Sequence, residues 1–447
     1  MEKSLEALVE KWGDILDAKG ASPIKDRTRR ETTAVLLENQ NNHSNQLVQR
    51  YGAQSLTALL EGAPTNAMGA SSSTAGDGAI DIYDPVMISM VRRSMPNLLA
   101  YDVCGVQPMT MPTGLIFALR SRYESQTGIE ALFNEANTAF TASAKGNTFG
   151  KGQVGSDPSL IAEGNAAAYT VANGMTTAQL ESLGRDANTL FNEMAMSIEK
   201  VSVTAEGRAI KAEYSHELAQ DLKNVHGLDA ETELANILSA EMLAEINRQI
   251  IRSIYSTATI GGKAGGVFDL DTDADGRWMV EKWKGLMFQI ELEANKIAKA
   301  TRMGKGNWII TSSDVASALA MAGQLDYTSG LAQERLEVDD TGNTFAGILF
   351  GRYKVFIDPY FNSTNGNNFV TVGYKGKNSF DAGLFYAPYI PLEMYRATGS
   401  EDFVPRIGFK TRYGLVAHPF ATDAADGKVD ATKKNKYFRI FSAKNLL

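Results

Sequence analysis

The chain has 447 residues, more than one compact core accommodates, so two or more domains are expected. Its formal net charge of −8 excludes a protein that coats nucleic acid by neutralising phosphates, though not one that encloses it without gripping it. The lone cysteine, Cys104, excludes an intrachain disulfide and fits a reducing cytoplasm, and no apolar run approaches the ~20 residues of a membrane span.

Residues 1–61 read as a separate, charge-balanced unit with eight Lys/Arg and nine Asp/Glu. Leu5, Leu8, Val9, Trp12, Ile15 and Leu16 follow helical spacing, and Val35–Leu37, Leu47–Val48 and Leu56–Leu60 suggest further amphipathic helices. The segment alone leaves two readings open: its apolar faces await a partner, or they pack on their own chain. Residues 62–80, dominated by Gly, Ala, Ser and Thr, read as a flexible linker. Asp84-Pro85 can open a helix that runs to Met95 and ends at Pro96.

Residues 97–123 read as extended, with turns at Pro108, Pro112 and Gly114 and period-two alternation at Phe117 and Leu119. Val201 and Val203 alternate in the same way, so the two stretches are expected to pair as hairpin arms. Residues 124–195 are then an insertion at the hairpin's tip, rich in Gly, Ala, Ser, Thr and Asn, with one helix near Thr177–Leu183.

A helix over about Ser215–His226 ends at Gly227, where a left-handed cap is wanted. The dominant element follows, from Asp229 to about Ser256. Asp229 is placed to accept the backbone N–H groups two and three residues on. Leu243, Ile246, Ile250 and Ile254 form an apolar stripe, extended backwards by Leu234, Ile237, Leu238 and Met242 and widened by Ile251. Trp283–Thr301 is a second amphipathic helix, Asn307–Thr311 a buried-type strand, and Ser312 or Ser313 caps a helix through Met321. Residues 323–344 read as a polar loop. Strands are expected at Tyr353–Ile357, Phe369–Tyr374, Ala382–Tyr386 and Phe409–Val416, and the order of elements is that of an α+β protein.

No chemical site declares itself. Asp271-Thr272-Asp273-Ala274-Asp275-Gly276 opens like a calcium loop, but position twelve is Lys282 where a bidentate glutamate is required. Gly150-Lys151-Gly152-Gln153-Val154-Gly155 matches a dinucleotide pattern without the strand before it and the helix after it. His43, His216, His226 and His418 make no helical zinc pair, and Cys104 lies in an apolar run as a small buried residue. The residues therefore point to a structural or interaction protein with no catalytic, cofactor or metal residues.

Several long runs carry a resemblance. Met90–Met109, continuing through Pro112-Thr113-Gly114 and Phe117–Arg120, is one. Glu213–Leu222, with Val225-His226-Gly227 and the helix through Glu245–Arg248, is another. Val372–Gly376, Asp381–Gly383, Tyr386–Tyr389 and Gly408–Gly414 follow, with Glu38-Asn39-Gln40 near the N-terminus. Over roughly 84–123 and 196–420 the chain strongly resembles the major capsid proteins of T-even-like tailed bacteriophages. The stretch between the hairpin arms does not match that family's prototype and is shorter.

The resemblance implies the HK97-type capsid fold with an insertion in its extended loop. Residues 1–61 would be a cleavable, scaffold-binding propeptide and 62–114 a linker and N-terminal arm. Residues 115–208, with arms at 115–123 and 198–208, would form the extended loop carrying the insertion at about 124–195. Residues 209–264 would form the peripheral domain with its spine helix, 265–365 the axial domain, and 366–447 strands returning to both. It further implies homo-hexamers in an icosahedral shell around double-stranded DNA, in the virion after assembly in the host cytoplasm. The implied partners are a vertex protein, an internal scaffold and a maturation protease, with decoration proteins and a chaperonin beside them. The net charge suits an inner wall that must not immobilise DNA. The family's protease cuts after glutamate in an Ile/Leu-x-Glu pattern. Leu59-Leu60-Glu61 matches with Gly62 following, and it lies where a helical segment meets a linker. Leu8-Val9-Glu10 and Leu36-Leu37-Glu38 match too, but fall within expected helices. The alternatives are the pentameric vertex protein of the same shell and, more distantly, a cation- or dinucleotide-binding enzyme.

Overall fold

The computed structural model describes residues 2–17, 24, 26–51, 98–132, 135–145, 149, 152–163, 166–186, 189–274, 278–322, 325–326, 344–361, 367–378, 380–398, 404–418 and 434–446. At the N-terminus α1 (Glu2–Lys11), α2 (Gly13–Leu16) and α3 (Arg27–Tyr51) form where the apolar spacing predicts helix. Trp12, Leu16, Ala34, Leu36 and Leu37 are buried in one cluster with Leu98, Leu99 and the long helix. For these residues, of the two readings left open by the sequence, packing on the same chain holds; Leu56–Leu60 lie outside the described residues. Each large apolar side chain so buried is worth about 1.5–3 kcal/mol.

The stretch read as extended from residue 97 begins instead with a helical turn, α4 (Ala100–Val103), before β1 (Gly105–Val106). The reason is burial. Ala100, Tyr101 and Val103 all point inward, and the turn satisfies their backbone locally, with Cys104 N donating to Ala100 O at 2.8 Å.

Next come β2 (Thr113–Tyr123), α5 (Ser159–Ala162), α6 (Thr177–Ser182), β3 (Met194–Thr204) and β4 (Glu206–Glu213). β2 and β3 pair as a two-stranded ribbon. The second arm begins and ends about four residues earlier than its sequence-read bounds, 198–208. β4 leaves the ribbon and pairs antiparallel with a later strand, because that strand offers a full ladder from Arg406 to Tyr413.

Residues 115–201 form one compact unit, and residues 1–114 with 202–447 another. In the smaller unit Ala131, Ala144 and Val201 are buried. Side-chain contacts help to hold it. Asn192 Nδ2 donates to the carbonyls of Phe140 and Ser143, the Tyr123 and Phe140 rings meet tilted at 55° with centroids 4.5 Å apart, and Thr176 and Gln179 close a capping box.

In the larger unit α7 (His216–His226) is capped by Ser215 Oγ, which accepts from Leu218 N, and ends at Gly227, whose φ of 67° suits glycine. α8 (Ala230–Thr257) is the long helix. Asp229 caps it through the Thr232 hydroxyl at 2.9 Å; its carboxylate takes no backbone N–H, contrary to the expectation from sequence. Leu243, Ile246, Ile250 and Ile254 are buried, as are Leu238, Met242 and Ile251. Ile237 is not: it is 60% exposed, since it sits off the inward stripe.

There follow β5 (Ala258–Ile260), β6 (Val267–Asp269), α9 (Met279–Thr301), β7 (Trp308–Thr311) and α10 (Ser313–Met321). Then come β8 (Leu325–Asp326), β9 (Thr344–Leu349), β10 (Tyr353–Ile357), β11 (Asn368–Gly373), β12 (Leu384–Thr398), β13 (Pro405–Ala417) and β14 (Asn435–Lys444). Among the described residues β1-β12-β13-β4 form one sheet and β5-β14-β11-β7-β10-β9-β8 another, with β6 beside β14. The first sheet, with Trp308 and Phe438 from the second, packs on α8. The second buries the inner faces of α9 and α10 around Leu286, Ile290, Ile297 and Leu319.

β12 runs twelve residues beyond the sequence-read end at Tyr386. Pro388 and Pro391 lie within it, and the strand absorbs them through register shifts at 388–390 and 390–393. The Ser312 hydroxyl caps no backbone N–H. It donates to Asn368 Oδ1 at 2.9 Å and so ties α10 to β11.

Candidate assembly surfaces

The described residues of the motifs discounted from sequence take partners of their own. Asp273 accepts from Lys263 Nζ and Asp269 N, and Asp271 pairs with Lys282; among the described residues no acidic, His or Cys group is arranged to hold a metal. No helix opens at Gly155; Val154 bridges Thr170. Burial pushes the Cys104 thiol up to about 12, with Lys375 opposing, so it is no ready nucleophile. The cleavage residues Leu59, Glu61 and Gly62, the linker 62–80 and the expected helix over 84–95 lie outside the described residues.

The spine residues Leu243, Ile246, Ile250 and Ile254 do come together, as core. The opposite face of α8 is charged. Arg208 reaches it from β4, donating to Tyr413 Oη at 2.5 Å, Glu245 at 2.8 Å and Gln249 at 2.7 Å. Arg248 grips Asp358 at 2.8 Å, and Tyr255 Oη donates to the same carboxylate at 3.0 Å. Arg208, Glu245, Arg248 and Gln249, with Arg252, Ser253 and Ser256, line an open groove of about 500 Å³. Arg208 and Arg248 are spent on acidic, amide and hydroxyl partners that brace the groove.

Three exposed apolar surfaces were missed from sequence. On β3, Met194, Met196 and Ile198 are 58%, 55% and 62% exposed, and Leu115 of β2 is also exposed. Val201 and Val203 are buried. The apolar parity of the strand therefore switches between Ile198 and Val201, and that switch was visible as Met-x-Met-x-Ile. On α9, Phe288 and Leu292 lie one turn apart and are exposed, and Trp278, Met279 and Val280 stand exposed where the helix begins. On and after α7, Leu218, Val225 and Leu228 are exposed. Rows of this kind, in a chain that buries its cores well, mark contact surfaces for other protein.

The profile of one family, described as major capsid protein Gp23, matches residues 80–443. The major capsid protein of Serratia phage KSP90 is 38% identical over the full length of both chains. That of Vibrio phage KVP40 is 37% identical over 98% of this chain and 100% of its own. The capsid vertex protein of Enterobacteria phage T4 is 26% identical over 52% of this chain and 54% of its own. Among solved structures, the capsid of Myoviridae phage XM1 aligns with 76% of this chain and 89% of its own at 10% identity, with a TM-score of 0.39 too low to carry an argument. The match to the family profile and the near-complete alignment to its relatives settle one point: the chain belongs to the Gp23 major capsid protein family of T-even-like phages.

Proposed function

We propose that the chain forms the hexamers of an icosahedral, HK97-type head shell that encloses double-stranded DNA in the virion. The observation that carries this is the ribbon of β2 and β3. A two-stranded ribbon is marginal by itself, and this one leaves Met194, Met196 and Ile198 in solvent along one strand. A neighbouring copy that covers the row removes both liabilities. The domain assignments implied by the family fit this reading: spine α8 in a peripheral domain, and α9 and α10 with the second sheet in an axial one. The hexamer is preferred to the vertex pentamer because major capsid relatives align along nearly the whole chain and the vertex relative along half. No catalytic role is proposed.

Electron microscopy of the expressed chain tests assembly. Wild type is expected to form sheets, tubes or shells. Met196→Glu with Ile198→Glu, both on exposed positions, is expected to give soluble, folded protein that forms none. Normal assemblies from this variant would show that the row is not a contact.

We further propose that the scaffold-binding segment 1–61 is removed after Glu61 by a maturation protease, the other expected partners being those of the family. Loss of 61 residues from 447 leaves a chain of 386 beginning at Gly62. Intact mass of the subunit from finished virions checks this, and a chain still beginning near Met1 would refute it.

A further inference from the structure

Glu38-Asn39-Gln40 is a polar run near the N-terminus. The run lies on α3, and its first two side chains do different work. Glu38 Oε2 accepts from Lys11 Nζ at 2.8 Å and from Trp12 Nε1 at 3.0 Å, fastening α1 to α3. Asn39 reaches away from α1. Its Nδ2 donates to Met109 O at 2.7 Å and to Tyr389 O at 3.0 Å.

Both acceptors stand at a weak point. Tyr389 lies where the pairing of β12 with β13 slips between Pro388 and Ile390, so the ladder skips it. Met109 belongs to the short extension of β1 along β12, where Gln107 N donates to Tyr386 O at 3.0 Å and Met109 N to Pro388 O at 2.9 Å. Four residues on, at Thr113, β2 begins. One side-chain amide thus spans two backbone carbonyls on neighbouring strands, just before the ribbon starts. The N–H₂ group has a donor for each carbonyl; a carboxylate in its place would be repelled by both.

A second contact secures the same helix. Arg29 Nη2 pairs with Asp102 Oδ2 at 2.9 Å and its guanidinium lies over the Tyr101 ring at 5.6 Å. Burial opposes ionisation of Asp102, but Arg29 and Lys354 outweigh it and hold the carboxyl below the usual range. Between the two contacts Ala34–Leu37 are buried in the core. Residues 98–109 are therefore held from one side by α3 and from the other by β12.

We propose that α3 is a cis-acting latch on the root of the β2 arm: it pins residues 105–109 to the bulge of β12 until the N-terminal segment is cut away, and its departure frees that root to move. The release step rests on the reading that the chain is cut after Glu61; the latch itself does not.

Hydrogen exchange on the full chain tests it. Asn39→Ala and the near-isosteric Asn39→Asp are compared with wild type, reading the amides of Gln107 and Met109 against those of Val370–Val372 in β11. Two lost hydrogen bonds are expected to speed exchange at 107 and 109 by about tenfold or more and to leave β11 unchanged. Equal exchange in variants and wild type would overturn the latch. A second measurement needs no substitution at Asn39. A site-specific protease sequence inserted within 62–80 allows the folded chain to be cut, and gel filtration then separates any released segment. Departure of the segment with faster exchange at 107–109 supports release. A segment that stays bound, or exchange that stays unchanged after it leaves, overturns release. The mass of the virion subunit decides separately whether the natural cut falls at Glu61, so failure of that reading is distinguishable from failure of the latch.

Discussion

Ile246→Asp is expected to yield no assembled particles and little soluble protein. Ile246 is fully buried, on the inward stripe of α8 between Leu243 and Ile250. Truncating a buried isoleucine alone costs about 2–5 kcal/mol, and a buried carboxylate without a cation adds several more. That sum reaches the total stability of a typical domain, about 5–15 kcal/mol. The position also anchors the N-terminal side of the fold, since the adjacent Asn247 accepts Leu99 N at 3.1 Å. Ile237→Asp on the same helix is the control. At 60% exposure it is expected to stay within ~0.5 kcal/mol of wild type in chemical denaturation. Electron microscopy and soluble yield read both variants, and normal shells from Ile246→Asp would remove α8 as the spine.

Glu293→Ala is expected to cost about 3–5 kcal/mol, read as a lowered denaturation midpoint, because it strands groups gathered around a fully buried carboxylate. Glu293 accepts from Arg439 Nε at 2.5 Å, Lys296 Nζ at 2.7 Å, Gln289 Nε2 at 2.9 Å and Gly262 N at 3.0 Å. It thereby joins α9 to β14 and to the turn that follows β5. Its carboxylate fills the space beside Gly261, where a Cβ would come within 2.6 Å of Oε2. Glu293→Gln keeps the shape but loses the charge, and should recover part of the loss. A midpoint for Glu293→Ala equal to wild type would mean that the cluster contributes nothing net.

Elements legible in the sequence were those whose signal is local. The stripe of α8 repeats every three or four residues, and the Ser215 and Gly227 boundaries of α7 depend on hydrogen bonds and a φ value within one turn. The α+β order, the hairpin arms and the buried strand at Trp308–Thr311 were readable for the same reason: each depends on a period or a turn residue. The exposed row on β3 was readable too, but only as a change of parity. The family was written in long runs of side chains rather than in any chemical motif.

What the tertiary structure alone decided depends on groups far apart in the chain. Whether α1 and α3 pack at home was open, because an amphipathic face is satisfied equally by a partner or by its own core. Asn39 reaching Met109 and Tyr389 decides it. β12 runs past Pro388 and Pro391 because β13 tolerates two register shifts, which no local pattern announces. β14 was unread because its alternation is broken by charge. It forms because β11 lies antiparallel on one side and β5 and β6 lie parallel on the other. Glu293 reads as one more surface charge on a helix until Arg439, 146 residues later, arrives beside it. Local periodicity specifies which segments become helix or strand. Which faces are covered, and which buried charges find partners, follows only from long-range pairing, since burial free energy depends on every neighbour at once.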